Sequence, residues 1–97
     1  MKIMISQPMN GKTEEQIRNE RAELVKELER QGHKVIDTIF AETPDEAQDK
    51  PLFYLAKSID AMSKADAIIF MPGWEKARGC KIEHEIALKY NKFIKEL

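Results

Sequence analysis

The run Asp66-Ala67-Ile68-Ile69-Phe70-Met71 has no polar alternation once past Asp66, the pattern of a strand covered on both faces. A strand of that kind needs helices above and below it, which confines the chain to an α/β architecture with a parallel sheet. The next stretch, Met71-Pro72-Gly73-Trp74-Glu75-Lys76-Ala77-Arg78-Gly79-Cys80-Lys81-Ile82-Glu83-His84-Glu85-Ile86-Ala87, leaves the strand through a glycine-flanked loop and opens a helix. Open α/β sheets gather ligands beyond the carboxyl ends of their strands, and the first turn of a following helix offers free N–H groups there. This junction is therefore the first place to look for chemistry.

The rest of the chain fits around that strand. Lys2-Ile3-Met4-Ile5-Ser6 reads as a buried first strand ending in the polar loop Gln7-Pro8-Met9-Asn10-Gly11. Thr13-Glu14-Glu15-Gln16 has the form of a capping box, so a helix is predicted from about Thr13 to Gln31, with Ile17, Leu24, Val25 and Leu28 inward and Gly32 as a left-handed stop. His33 to Asp37 reads as a second strand, and Thr38 to Asp49, with its Thr43-Pro44-Asp45, as a mobile loop. Pro51 suits a first helical position, and Leu52, Leu55, Ala56, Ile59 and Met62 predict a second helix from about Pro51 to Lys64. A third is predicted from about Gly79 to Asn91, with Ile82, Ile86 and Tyr90 inward, followed by a strand at Lys92-Phe93-Ile94. The expectation is one domain over residues 1–97, a three-layer flavodoxin/Rossmann-like sandwich with a parallel sheet of four to five strands.

Bulk properties exclude several classes of function. Sixteen basic residues against seventeen acidic ones leave no long-range field to collect nucleic acid or coat a membrane. No apolar run reaches the ~20 residues of a membrane span. The single Cys80 rules out an internal disulfide, so a reduced, cytoplasmic protein is expected. A domain of this length buries only about two thirds or less of its unfolded surface, which favours a homodimer or larger assembly, expected through the second helix with its Leu52, Phe53, Leu55 and Ile59.

Glu83 is the leading chemical candidate. It is read as a first-turn carboxylate at the border of the core, and two roles are open to it. One is an ordinary helix-start glutamate, stabilised by the dipole by ~0.3–1 kcal/mol. The other is an ionised carboxylate at the floor of a pocket, able to attack an anomeric carbon. Gly73 and Gly79 bracket the loop that holds Trp74 and Arg78, and Trp74 can either stack on a base or close the core. Cys80 lies beside a helix start and Lys81 but has no histidine placed as its base, which favours a buried, inert thiol. His33 falls at the opposite end of the sheet, and no HxxxH or CxxC spacing occurs, so neither a metal site nor a cofactor is expected.

The pattern Gly79-x-x-x-Glu83-x-x-x-Ala87, with Asp66 and an apolar strand before it and Ile5-Ser6-Gln7-Pro8-Met9 in the first strand, resembles the nucleoside 2-deoxyribosyltransferases and the related N-glycosidases of deoxynucleoside monophosphates. The likeness covers nearly the whole chain and extends to small bacterial and phage proteins grouped with them, in which Pro-Gly-Trp-Glu-Lys and Arg-Gly recur. The resemblance implies that Glu83, not Glu85, is the nucleophile. It further implies that Ser6, Gln7, Pro8, Met9 and Asn10 contact sugar and base, that Gly73, Trp74 and Gly79 border the pocket, and that Arg78 faces any phosphate.

Two positions depart from that family. Ser58 stands where an aspartate usually contacts the sugar and helps protonate the departing base, with Asp60 or Asp66 the next candidates for that acid, and Ala77 replaces a serine that contacts a 5′-phosphate. The leading expectation is an enzyme acting on the N-glycosidic bond of a small-molecule nucleoside or nucleotide. The alternatives are a catalytically weak nucleotide-binding or sensing module of the same fold, which Ser58 favours, and an assembly protein with Trp74 and Tyr90 in an interface.

Overall fold

The computed structural model describes residues 1–39 and 49–97. Their order is β1 (Lys2–Ser6), α1 (Glu14–Arg30), β2 (Lys34–Ile36), α2 (Lys50–Lys64), β3 (Ala67–Phe70), a 3₁₀ turn (Trp74–Lys76), α3 (Arg78–Lys89) and β4 (Phe93–Glu96). The four strands form one all-parallel sheet in the order β2-β1-β3-β4, a flavodoxin/Rossmann-like three-layer fold. Most of the loop expected from Thr38 to Asp49 lies outside the described residues.

Strand alternation sorts the core into two layers. Ile3, Ile5, Ala67 and Ile69 point to one face, where Leu28 and the half-buried Leu24 and Val25 of α1 cover them. Met4, Ile68 and Phe70 point to the other, against Ala61 and Met62 of α2 and Ala87 of α3. One helix on the first face does not reach β4, whose Phe93 remains 72% exposed.

Helix boundaries follow local chemistry. Thr13 accepts from the Gln16 backbone N–H at 3.1 Å, and the Gln16 side chain accepts from the Thr13 N–H at 2.8 Å, completing the predicted capping box. Gly32 adopts the left-handed conformation after α1, at φ 90°. α2 begins one residue earlier than predicted because the Asp49 carboxylate caps it, accepting from the Leu52 N–H at 3.0 Å. α3 stops at Lys89, since Asn91 takes a left-handed φ of 56° and Lys92 turns its N–H back to the Ala87 carbonyl.

The inward faces of α2 and α3 differ from the predicted stripes. On α2, Leu52 and Ile59 are exposed while Ala61 and Met62 are buried. On α3, Ile82 and Tyr90 face out, and Cys80, Glu83 and Ala87 form the buried face. Small side chains at the first and last of these positions let α3 settle close to β3, and that close approach buries the carboxylate between them. Bulk apolar residues were the wrong guide, because the helix packs by its narrow side.

Thr13→Ala removes one half of the reciprocal cap and is expected to lower unfolding free energy by about 1 kcal/mol. Urea denaturation followed by far-UV circular dichroism measures it.

Candidate functional site

β1 and β3 are adjacent, yet the helices that follow them pack on opposite faces of the sheet. This divergence is the topological switch point, where α/β sheets open a crevice. Ser6 ends β1 with its side chain on the α3 face, and Glu83 of α3 meets it there, the Ser6 hydroxyl donating to Glu83 Oε2 at 3.4 Å. Ser58 of α2 lies near enough for its hydroxyl to pull the Glu83 pKa down.

Glu83 is 6% exposed, and it is the one buried carboxylate among the described residues. It lies in the second turn of α3 rather than the first, so the helix start does little to keep it charged. Burial instead pushes its pKa up to about 7, against a smaller downward pull from the Ser6 and Ser58 hydroxyls. The expected constantly ionised glutamate is thus replaced by one balanced between its two forms near neutrality. Glu85 is exposed and reaches Lys89 at 3.4 Å, leaving it no part in this cluster.

Cys80 is buried one helical turn before Glu83, and burial raises its thiol pKa, opposed by the Ser6 hydroxyl and assisted by the Glu83 charge. It is an inert neighbour, as its lack of a base suggested. Asp66 accepts from the Lys2 N–H at 2.8 Å at the amino edge of the sheet, so it cannot serve a site at the carboxyl edge. Asp60 is exposed and holds Lys64 at 3.2 Å. His33 also sits at the amino edge, beside the chain's first residue.

The loop after β1 is anchored from the opposite face. Gln7 is buried, its side-chain N–H donates to the Ile17 carbonyl at 3.0 Å, and its oxygen accepts from Arg21 Nε at 2.7 Å. Its amide is therefore held on the α1 side of the sheet, facing away from Glu83. Arg21, only 4% exposed, also donates to Thr38 at 3.2 Å, and Thr38 donates to the Ile5 carbonyl at 3.4 Å. One Arg21 nitrogen, Nη2, is buried and has no hydrogen-bond partner among the described residues. Burial lowers the guanidinium pKa, with Asp37 opposing and Arg18 assisting. The sequence hid this network, because Arg21 stands among charged residues on a surface helix. Pro8 and Met9 are half-buried and Asn10 is exposed, so this end of the loop faces the crevice side.

The loop after β3 closes on aromatic contacts. Gly73 has φ 91°, a conformation that disfavours any side chain, and a Cβ there would lie 3.6 Å from Pro8 Cγ, so the two site loops touch. Trp74 stacks on His84 with ring centroids 4.1 Å apart and tilts against Phe70 at 5.4 Å. His84 in turn meets Glu96 of β4, Nε2 to Oε2, at 2.6 Å. One indole face is thus used to close the core. Ala77 gives α3 no side-chain cap, Gly79 is half-buried in its first turn, and Arg78 is exposed and in no ion pair among the described residues.

Residues 1–96 match the family described as a domain of unknown function (DUF4406), and the chain belongs to that family. No curated protein matches the sequence. Among the described residues, no helix is long and apolar enough to cross a membrane.

The raised Glu83 pKa has a stability consequence. The folded protein prefers the protonated form, so this contribution is complete below about 4.5 and disappears as pH rises through about 7. Its upper bound is about 3 kcal/mol. Glu83→Gln, which cannot ionise, is expected to unfold at higher denaturant concentration than the parent at pH 8.5 but not at pH 4.5. Paired urea titrations at the two pH values test this, and an equal difference at both sinks the assignment of Glu83 as the buried titrating group.

Proposed function

We propose that this member of the DUF4406 family breaks the N-glycosidic bond of a nucleoside or nucleotide, with Glu83 as the attacking group. The observation that carries the reading is the one buried carboxylate among the described residues, at the switch point of the sheet, held by the Ser6 hydroxyl of β1 with Ser58 of α2 close by. Burial strips water from the carboxylate, and the two hydroxyls favour its ionised form without neutralising it. The resemblance to nucleoside 2-deoxyribosyltransferases supports the same residue in the same role.

The sugar would lie over the end of β1, with its C1′ toward Glu83. Attack forms a glycosyl ester and expels the base, and water or a second base then displaces the ester and restores the carboxylate. The Pro8–Asn10 backbone borders the sugar and base. Trp74, with one face on His84, forms a wall, and the exposed Arg78 beside the start of α3 suits a 5′-phosphate. Substrates are small molecules and not nucleic acid. The working unit in this reading is a homodimer or larger assembly through α2, where Leu52 is 59% exposed, acting in the cytoplasm.

A second reading rests on Ser58. A hydroxyl stands against Glu83 where a carboxylic acid would assist departure of the base, which suits a binding or sensing module that turns its ligand over slowly.

Glu83→Ala is expected to abolish base release from nucleosides and 5′-monophosphates, whereas Glu85→Ala retains it, because only the former removes the nucleophile. Chromatography of released base decides this, and equal losses in the two variants would remove Glu83 from its role. The rate should rise with pH through about 7, as Glu83 ionises. Tight binding of a nucleotide without base release favours the sensing module instead.

A further inference from the structure

Among the described strands β4 has a neighbour on one side only, and that neighbour is β3. The Phe93 N–H reaches the Asp66 carbonyl and the Leu97 N–H the Phe70 carbonyl, so alternation turns the Ile94 and Glu96 backbone groups outward. Side chains alternate as well. Ile94 and Glu96 lie on the α3 face, against the core and His84, while Phe93 and Lys95 lie on the α1 face. α1 does not extend this far, which leaves the Phe93 ring exposed.

Lysines commonly guard such an edge against other strands. The charges on β4 do more than repel. A two-fold axis perpendicular to the sheet pairs two copies of β4 antiparallel and keeps each side chain opposite one from the same face. Centred on Ile94, that axis sets Ile94 against its own copy, Lys92 against the partner's Glu96, and Phe93 against the partner's Lys95. Each pair is then favourable: opposite charges, an aliphatic match, and a lysine stem and ammonium beside an aromatic ring. The two Phe93 rings also come within diagonal reach of one another across the axis. Moving the axis to Lys95 opposes the two lysines and sets Ile94 against Glu96. Moving it to Phe93 sets Lys92 against Ile94 and draws in Asn91, whose left-handed φ of 56° ends the extended backbone.

We propose that β4 pairs antiparallel with β4 of a second copy of this chain about a two-fold axis at Ile94, joining two four-stranded sheets into one. Each Ile94 N–H donates to the carbonyl of the other, and the Glu96 N–H donates to the partner's Lys92 carbonyl, while the Lys92 N–H stays on Ala87. The charged groups have capacity for the new pair. Lys92 Nζ donates to the Ala65 carbonyl and Glu96 Oε2 meets His84, but an ammonium carries three donors and a carboxylate a second oxygen. This contact uses the edge of the sheet rather than the α2 face, and it stands independently of the glycosidic reading.

The test is sedimentation equilibrium of the full chain up to about 1 mM, the range in which a small interface is populated. A reversible dimer is expected. Lys92→Glu should weaken its association on the order of tenfold, because both symmetry-related pairs become like-charged, and adding Glu96→Lys should restore it. Should either variant not fold, cysteine cross-linking reads the register directly. Opposed residues of a hydrogen-bonded antiparallel pair have Cα atoms ~5.5 Å apart, inside disulfide reach, whereas diagonal ones are ~7–8 Å apart. Under mild oxidation Ile94→Cys should therefore give a covalent dimer and Lys95→Cys should not, the native Cys80 being buried. A monomer at every concentration overturns the proposal, as does a dimer indifferent to the charge exchange. Cross-linking through Lys95→Cys in preference to Ile94→Cys overturns it equally.

Discussion

The pairing of β1 with β3 is the constraint on which the rest of the structure depends. These two strands contribute most of the fully buried residues, and their ladder continues past the sheet through the Met71 N–H to the Ser6 carbonyl at 2.9 Å. α1 leaves β1 for one face and α3 leaves β3 for the other, so their carboxyl ends form the switch point of the sheet. The switch point is a product of connectivity, and side chains determine what meets there. Ser6 comes from one strand end and Glu83 from the helix after the other, so the site exists only while these two central strands are paired.

Two buried ionisable groups occupy opposite faces at this edge, and they do different work. Arg21 holds the loop after β1 on α1 by donating to the Gln7 amide oxygen, while the Gln7 N–H donates to the Ile17 carbonyl. Among the described residues its charge has no carboxylate at hydrogen-bond distance and its Nη2 has no partner. Glu83 faces the crevice with hydroxyl partners only.

Much of this fold was legible in the sequence. The capping box at Thr13, the turn glycine at 32 and the unbroken apolar run of β3 each have a local cause, and local causes survive into the structure. The placement of Glu83 at the border of the core, with Glu85 outside it, was also legible, since the two lie on different sides of one helix. What stayed hidden depended on distant partners. The inward face of α3 is set by how closely it approaches β3 and α2, which favours Cys80 and Ala87 over the bulkier Ile82 and Tyr90. The Glu83 charge state is set by enclosure, which outweighs the helix start. The role of Gln7 depends on a guanidinium fourteen residues away that pattern alone assigns to solvent.

Alternation along β1 gives this arrangement an unforgiving arithmetic. Ser6 and Gln7 are neighbours in the chain but project to opposite sides of the sheet, one to the carboxylate and the other to the guanidinium. The strand is in effect a two-state sorter, assigning even positions to the crevice and odd positions to the anchor. Deleting one residue upstream in β1 would bring the Gln7 amide to the place of Ser6 before Glu83, and inserting one would bring the Ser6 hydroxyl to the place of Gln7 before Arg21 and Ile5 before the carboxylate. Recognition and rigidity are therefore not separately adjustable here: they share one backbone register, and drift in either is confined to substitutions that leave the count unchanged.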